Sequence, residues 1–246
     1  MESVQLVLFD LDDTLFDHRR CYRGGIAALR RRWPELRRQA WAAAVDEYDR
    51  SLALLHPLVL QGTLSSSDSR RARLRGLFQA GGLEPDEETL READSVYAGR
   101  YRALRGCVPG SVPLLRSLRR QGVRIGVVTN HQVAPQRKKL HELGLEGLVD
   151  QVTISEEVGA VKPDPRIFEA ALQAASIDAS AAVMVGDSWE NDILGAQRVG
   201  IRPVWFRRGS EGLPDRSVQT LRSFRPLARA RSVILNPPRR RPGRPP

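Results

Sequence analysis

Short apolar runs alternate with longer amphipathic segments along most of the chain. Such nearly continuous hydrophobicity over a few positions is typical of strands that are buried on both faces of a parallel sheet. The runs that we interpret as strands cover residues 4–9, 123–128, 151–154, 182–185 and 201–206. Because helical patterns separate these runs, the sequence predicts βαβ units and an α/β fold with a doubly wound parallel sheet.

The segment from Arg19 to Leu104 interrupts this alternation, because only helical patterns broken by turn signals occur there. Its predicted helices cover residues 21–32, 35–55, 67–78 (with Ser66 or Ser67 as the cap) and 85–101. The sequence therefore predicts an α/β core from residues 1–16 and 106–230 and an inserted all-helical cap domain over residues 17–105. A domain inserted directly after the first strand is expected to lie over the carboxyl edge of the sheet.

The net charge of +10 is concentrated at the C-terminus of the chain. Eight arginines and no acidic residue follow position 221, so the preceding part of the chain carries only +2. The final segment, residues 236–246, consists mostly of proline and arginine, and its composition predicts disorder. This tail could contact nucleic acid or an acidic surface, but it lacks interleaved aromatic residues. We therefore favour a solvated tail.

The remaining composition is typical of a globular protein, with 41% hydrophobic and 28% charged residues. No apolar run is long enough to predict a membrane helix, and no basic segment precedes the first apolar run, as a signal peptide would require. The two cysteines, Cys21 and Cys107, lack metal-binding or redox spacing. We therefore expect a reduced, cytoplasmic protein without membrane contact.

Polar side chains end several of the predicted strands. Asp10 and Asp12 follow the first strand, Thr129 and Asn130 follow the second, and Asp187 follows the strand at 182–185. The carboxyl ends of parallel strands meet at one edge, which is where open α/β sheets bind ligands. A single acid at a strand end is common in turns, but convergence of several strands indicates a site. Adjacent carboxylates at this edge would repel each other and therefore imply a bound cation.

Lys162 and Asp192 extend this candidate site. Only three of the 39 cationic residues are lysines, so a lysine at position 162 indicates a need for a compact ammonium. A surface lysine before a proline turn is the alternative. Asp192 either supports a metal ion from behind its ligands or serves a helix N-terminus, and we favour metal support. Oxygen ligands without a histidine or cysteine constellation favour Mg²⁺.

Together these features resemble the haloacid dehalogenase superfamily of phosphohydrolases. The four motifs that carry the resemblance occur in order, as Asp10-Leu11-Asp12-Asp13-Thr14, Thr129-Asn130, Lys162-Pro163-Asp164-Pro165, and Gly186-Asp187 with Asp192. The helical insert matches the C1-type cap of that superfamily. The segments around Lys162 and Asp187 look most like the branch with pyrimidine 5′-nucleotidases and N-acylneuraminate 9-phosphatases.

The resemblance implies a role for each of these residues. Asp10 is expected to be the nucleophile that forms an aspartyl-phosphate, and Asp12 the general acid and base. Thr129 and the Asn130 amide are expected to bind phosphate, and Lys162 to neutralise the charge between phosphate and nucleophile. The expected Mg²⁺ ligands are Asp10, the main-chain carbonyl of Asp12 and Asp187, with Asp192 in support.

The favoured function is a Mg²⁺-dependent phosphatase of a small phosphomonoester, either a nucleoside monophosphate or a sugar phosphate. A phosphomutase of the same superfamily is the alternative, and a 2-haloacid dehalogenase is less favoured because those enzymes, by resemblance, lack an acid at the position of Asp12. A different class is a module that binds protein or nucleic acid through the basic tail. The sequence identifies neither the substrate nor the oligomeric state.

Overall fold

The computed structural model describes residues 3–209 and 212–237. The chain divides into two compact units, one formed by Met1–Phe16 with Cys107–Pro246 and the other by Asp17–Gly106. The predicted disordered tail lies outside the described residues from position 238 onward. None of the helices in the described ranges has the length and apolar character needed to cross a membrane.

A parallel sheet forms the centre of the first unit. Its strands within the described residues are β1 (Leu6–Phe9), β2 (Arg124–Thr129), β3 (Gln151–Ile154), β4 (Ala182–Gly186), β5 (Arg202–Phe206) and β6 (Gln219–Leu221). They are arranged in the order β3-β2-β1-β4-β5-β6, with every neighbouring pair parallel. The chain builds outward from β1 on one side and then on the other, which creates a crevice at the carboxyl ends of the central strands. The predicted α/β fold with a doubly wound sheet is confirmed.

The second unit consists of helices, and a separate set of helices belongs to the first unit. Those of the second unit are α1 (His18–Arg32), α2 (Trp41–Leu60), α3 (Ser66–Ala80) and α4 (Glu87–Ala103). Those of the first unit are α5 (Ser111–Arg119), α6 (Val133–Glu142), α7 (Ser155–Val158), α8 (Pro165–Ala175), α9 (Gly195–Arg198) and α10 (Leu227–Leu235). Shorter helical segments of 3₁₀ type lie at Pro34–Arg38, Glu146–Leu148 and Ala179–Ala181, and a π-helix lies at Trp189–Leu194.

Several helix boundaries differ from the predicted ones. The predicted helix at residues 35–55 is instead a 3₁₀ turn followed by α2, which continues through Pro57. The cap of α3 is Ser65, whose hydroxyl accepts a hydrogen bond from the Asp68 N–H at 3.0 Å. Three adjacent serines offer equivalent capping chemistry, so composition alone does not select among them.

Side chains from β1 alternate between the two faces of the sheet. Leu6 and Leu8 belong to a buried cluster with Ile167 and Phe168 of α8. Phe9, from the alternate set, meets the ring of Phe224 at a centroid distance of 6.4 Å. Burial on both faces explains why β1 is apolar throughout, and it leaves the end of the strand as the first place where a polar side chain can reach solvent.

The second unit has a hydrophobic core of its own. Its largest fully buried side chains include Tyr48, Tyr97 and Phe78. The hydroxyls of Tyr48 and Tyr97 hydrogen bond to each other, and the Arg73 guanidinium donates to the Tyr48 hydroxyl at 2.7 Å. The polar ends of these buried rings are therefore paired inside the helical unit, which is how large aromatic residues are usually accommodated.

Candidate active site

The loop after β1 places Asp10 at the carboxyl edge of the sheet. The Asp10 N–H donates to the Val185 carbonyl at 2.9 Å, so the main-chain ladder between β1 and β4 extends to the first acid. The N–H groups of Leu15 and Phe16 then both donate to the Leu11 carbonyl, at 2.9 and 2.8 Å. This tight loop fixes the main chain around both predicted catalytic acids.

Lys162 joins two of the predicted acids. Its Nζ lies 2.7 Å from Asp10 Oδ1 and 2.6 Å from Asp192 Oδ1, and it also donates to the Val128 carbonyl at 2.9 Å. The side chain is only 2% exposed. All three donor positions of the ammonium are therefore used at one point, which suits lysine better than the planar guanidinium of arginine.

Asn130 holds the main chain of Lys162. The Asn130 Oδ1 accepts from the Lys162 N–H at 2.7 Å, and its Nδ2 donates to the Lys162 carbonyl at 2.9 Å. This pair of hydrogen bonds connects the end of β2 to the loop before α8. The side chain of Asn130 thus orients Lys162.

Asp187 and Asp192 complete an acidic cluster with Asp10. One carboxylate oxygen from each of the three residues lies within 4.8 Å of the others. Asp192 is 1% exposed, and its Oδ2 accepts a hydrogen bond from the Ser188 N–H at 3.0 Å. The Trp205 indole donates to the Asp187 carbonyl at 2.9 Å and so fixes the main chain at the end of β4.

The turn after β4 brings Asp192 back toward the strand. After β4 the chain forms a π-helical turn, Trp189–Leu194, which is followed by α9. A Cβ atom on Gly186 would overlap the Asp192 carboxylate, so the absence of a side chain at this position allows the close approach. π-Helical turns of this kind are common at functional sites.

Electrostatics within the cluster favour a cation. Burial raises the pKa of Asp10 to about 7, although the Lys162 ammonium opposes this shift. Burial and the Asp10 carboxylate also raise the pKa of Asp187 well above its ordinary value. For Lys162, burial alone would lower the pKa, but the Asp10 and Asp192 carboxylates raise it above its ordinary value. One lysine does not balance these acids, and their oxygen ligands match a hard divalent cation.

Asp12 points to a different set of partners. Its Oδ1 and Oδ2 lie 2.6 and 2.8 Å from Lys139 Nζ, and its Oδ2 accepts from Gln136 Nε2 at 3.0 Å. Gln136 Nε2 also donates to the Thr129 Oγ1 at 2.9 Å. The predicted site residues thus fall into two connected groups, one centred on Lys162 and one on Asp12.

Sequence reasoning missed Gln136 and Lys139. The scarcity of lysine, which indicated Lys162, also singles out Lys139, yet Lys139 was not among the predicted site residues. Gln136 has no comparable signal, because a glutamine on an amphipathic helix is ordinary. Only the fold shows that α6 directs both side chains to the loop after β1.

Comparison with known proteins places the chain in a family. The model of the haloacid dehalogenase-like hydrolases matches residues 4–200. A glyceraldehyde 3-phosphate phosphatase of Methanopyrus kandleri is 31% identical over 84% of this chain and 85% of its own. A ribulose-1,5-bisphosphate 5-phosphatase of Halopiger xanaduensis is 33% identical over 87% and 95%. The pyrimidine 5′-nucleotidase YjjG of Escherichia coli is 31% identical over 90% and 96%.

Solved structures show the same fold. The putative HAD-hydrolase YfnB of Bacillus subtilis, described as bound to magnesium, has a TM-score of 0.69 at 22% identity and covers 94% of this chain and 100% of its own. A 2-haloacid dehalogenase of Pseudomonas syringae has a TM-score of 0.56 at 29% identity, with coverage of 92% and 97%. Together with the match to the family model, these similarities confirm the predicted family, and the chain belongs to the haloacid dehalogenase-like hydrolases.

Proposed function

We propose that this protein is a Mg²⁺-dependent phosphatase that hydrolyses a small phosphomonoester through an aspartyl-phosphate on Asp10. The observation that carries the proposal is the position of Asp10 at the end of the central strand, 2.7 Å from the buried Lys162 ammonium and within the acidic cluster. A carboxylate fixed beside a cation at a ligand-binding edge is suited to attack on a phosphoryl group.

Thr129, Asn130 and Lys162 stabilise the transferring phosphoryl group in this proposal. Because the Asn130 side chain is engaged with the main chain of Lys162, its contact with phosphate falls to the main-chain N–H. Thr129 Oγ1 accepts from Gln136, which leaves the hydroxyl proton for donation to a phosphate oxygen. Lys162 offsets negative charge on Asp10 and phosphate as the P–O bond forms.

Asp12 serves both halves of the reaction. It donates a proton to the leaving oxygen of the substrate while Asp10 takes the phosphoryl group. It then accepts a proton from the water that attacks the aspartyl-phosphate, which releases phosphate and restores both acids. The presence of this acid favours phosphate chemistry over dehalogenation.

The residues that would hold Mg²⁺ are Asp10, Asp187 and the main-chain carbonyl of Asp12, with Asp192 in support. When bound, the ion would supply positive charge that offsets the phosphate oxygens and the carboxylates. The three acids provide only oxygen ligands, and their mutual repulsion gives a physical reason to bind a divalent cation.

The class of substrate follows from what the relatives share. Their names specify a triose phosphate, a pentose bisphosphate and pyrimidine nucleotides, all of which are small phosphate esters. We therefore propose a sugar phosphate or a nucleoside monophosphate as substrate. The helical unit, predicted as a cap domain over residues 17–105, is proposed to select among them.

The test is phosphate release from p-nitrophenyl phosphate and from a panel of sugar phosphates and nucleotides, with Mg²⁺ and with EDTA. We expect release that requires the metal and that falls by roughly 10³-fold or more in Asp10→Asn, because the nucleophile is lost. Asp178→Asn is the matched control, since Asp178 is exposed and makes no side-chain cap bond.

Two results would overturn the proposal. Phosphate release that persists in Asp10→Asn or in EDTA would exclude the mechanism, and no release from any panel member would exclude the activity. Because a structural relative is a 2-haloacid dehalogenase, halide release from 2-chloropropionate is measured alongside. Isomerisation of a sugar phosphate without net phosphate release would instead identify a phosphomutase.

A further inference from the structure

Helix α6 presents two side chains to Asp12. Gln136 and Lys139 are three positions apart and therefore lie on the same face of the helix. Lys139 Nζ contacts both carboxylate oxygens of Asp12, at 2.6 and 2.8 Å, and Gln136 Nε2 contacts Oδ2 at 3.0 Å. The carboxylate is therefore held at both oxygens.

Both side chains are nearly enclosed by protein. Lys139 is 9% exposed, and its ammonium also lies 4.9 Å from the centroid of the Phe16 ring. Phe16 in turn forms an isolated β-bridge with Asp12. Ordering a lysine in a buried setting costs conformational and solvation free energy, which an exposed ion pair would avoid.

Gln136 is fully buried, yet only one end of its amide is paired. Its Oε1 has no hydrogen-bond partner among the residues that the structure describes, whereas its Nε2 serves both Asp12 and Thr129. A buried polar atom without a partner costs stability, so packing alone does not account for a glutamine here. The contacts of the Nε2 donor are therefore the part of this side chain that explains its presence.

The Nε2 donor of Gln136 connects two predicted site residues. Gln136 Nε2 lies 2.9 Å from Thr129 Oγ1 and 3.0 Å from Asp12 Oδ2. The Asp12 carboxylate is thus tied to the hydroxyl that the proposed function assigns to phosphate binding. A proton donor for the leaving oxygen has to lie close to the bound phosphoryl group, and displacement of a catalytic group by about 1 Å can lower a rate by about 10²-fold.

We propose that Gln136 and Lys139 are positioning residues that hold the Asp12 side chain beside the Thr129 hydroxyl, where its carboxyl group gives a proton to the leaving oxygen and its carboxylate then takes one from the attacking water. This inference rests on the proposed phosphatase function and assigns two residues that lie outside the four family motifs. The competing explanation is a structural one, in which the same contacts only fasten α6 to the loop after β1.

The two explanations differ in how the rate depends on the leaving group. An alkyl alkoxide is a poor leaving group and requires protonation, whereas 2,4-dinitrophenolate leaves without it. The parameter kcat/KM covers the steps up to release of the alcohol. A misplaced Asp12 therefore lowers kcat/KM for an alkyl phosphate far more than for an aryl phosphate, whereas general loosening of the fold lowers both alike.

The experiment measures kcat and KM of the full chain with Mg²⁺ for glycerol 2-phosphate and for 2,4-dinitrophenyl phosphate. In Lys139→Met and Gln136→Met we expect kcat/KM to fall by about 10²-fold for the alkyl ester and by less than about threefold for the aryl ester. The alkyl loss is expected in kcat, with KM nearly unchanged. Asp12→Asn is the reference for complete loss of the proton donor.

The chain supplies a matched control in the adjacent residue. Lys138 has a side chain that is 72% exposed and lies 3.9 Å from Glu142, so Lys138→Met makes the same chemical change away from Asp12. We expect it to match the wild type for both esters. Lys139→Arg, which can still contact both carboxylate oxygens, is expected to restore most of the alkyl activity.

The inference is overturned, and Gln136 and Lys139 have a structural role, in any of three cases. The two esters show equal losses, both methionine variants keep wild-type rates, or both fail to fold while Lys138→Met folds. Selective loss in whichever methionine variant folds would support it. If the wild type hydrolyses both esters and Asp10→Asn does not, the phosphatase function stands whatever the α6 variants show. A wild type without turnover overturns the function and, with it, this inference.

Discussion

Lys162 shows how much a single side chain contributes to this site. It is the partner of Asp10 and Asp192, and all three side chains are at least nine-tenths buried. Removing one partner from a buried ionic group leaves uncompensated charge in a medium of low polarity. The residue therefore has both a structural and an electrostatic role, and stability measurements on the metal-free protein isolate the first of them.

In Lys162→Met we expect the free energy of unfolding of the metal-free protein to fall by about 3–5 kcal/mol, because two carboxylates lose their cation. The measurement is urea denaturation in EDTA at neutral pH. Lys138→Met, on the exposed face of α6, is expected to stay within about 0.5 kcal/mol of the wild type. A loss below about 1 kcal/mol in Lys162→Met would show that the carboxylates do not depend on this ammonium.

Gly186 gives a second test at single-residue scale. A Cβ at this position would overlap the Asp192 carboxylate. In Gly186→Ala we expect a loss of about 1–3 kcal/mol in stability, because Asp192 has to move away from Lys162. Urea denaturation measures the loss, and Gly147→Ala is the control, since a Cβ there would meet no atom within 4 Å. Equal stability of the two variants would contradict the close packing at the end of β4.

The candidate catalytic residues at the ends of strands were predictable from the sequence. Asp10, Thr129 and Asp187 each follow or end an apolar run, and parallel strands bring such ends to one edge. Gln136 and Lys139 were not predictable, because helix periodicity alone does not say which loop a helix face will meet. The roles assigned to the predicted residues stay predictions until variants are measured.

At the scale of elements, the main strands were predicted because burial on both faces makes them apolar throughout. β6 and α10 were missed, since β6 has only three residues and α10 lies in an arginine-rich segment just before the predicted tail. In α10 the buried residues Ala230 and Ile234 are four positions apart, and that spacing was available in the sequence. The charge of the segment concealed its amphipathic pattern.

The packing of α1 against α4 depends on a glycine. A Cβ on Gly25 would lie 2.5 Å from two ring atoms of the buried Tyr97. In Gly25→Ala we expect the helical unit to lose about 1–3 kcal/mol, because the ring has to move within a filled core. The measurement is the thermal unfolding of the full chain followed by helical circular dichroism.

Gly99→Ala in α4 is the matched control for this change. Gly99 is exposed, and a Cβ there would meet no atom within 4 Å. Alanine is the better helix former, so we expect a gain of about 0.5–1 kcal/mol. Destabilisation by both substitutions, to a similar extent, would contradict the close contact between α1 and α4 as the cause.

At the scale of the whole molecule, family membership and the enzyme class agree with the sequence prediction. The three sequence relatives described above are two phosphatases and a nucleotidase, and the family model spans the motifs from Asp10 to Asp192. The cytoplasmic location and the solvated basic tail stay predictions, and the sequence made no prediction of the oligomeric state. These properties depend on surfaces and cellular context, which core-forming patterns do not encode.

The acidic cluster makes stability depend on pH. Burial raises the pKa of Asp10 from 3.8 to about 7 in the folded, metal-free protein, so the folded chain retains a proton that the unfolded chain releases. The free energy of unfolding therefore decreases as pH rises through this window. We expect urea denaturation in EDTA to show this decrease between about pH 4.5 and 7.5, and to show less of it in Asp10→Asn.

Addition of Mg²⁺ at pH 7.5 is expected to reverse the decrease, because a cation that binds only the folded state stabilises it. The same addition is expected to have little effect on Asp10→Asn, which lacks one of the proposed ligands. If the pH dependence of the wild type and that of Asp10→Asn are identical, the burial of Asp10 is not its source.

Main-chain hydrogen bonds join the chain segments at the two ends of the helical unit. Leu15 accepts a hydrogen bond from Val108 at 2.8 Å, and Gly106 accepts one from Asp17 at 3.0 Å. The intervening segment therefore begins and ends at nearly the same point. Its length can change without moving the strands on either side. Segments of this kind can be exchanged, shortened or replaced by a brief turn while the surrounding fold is retained. The proposed catalytic residues and the helical unit that is proposed to select the substrate can thus change independently during evolution, which would account for relatives of one family acting on such different phosphate esters.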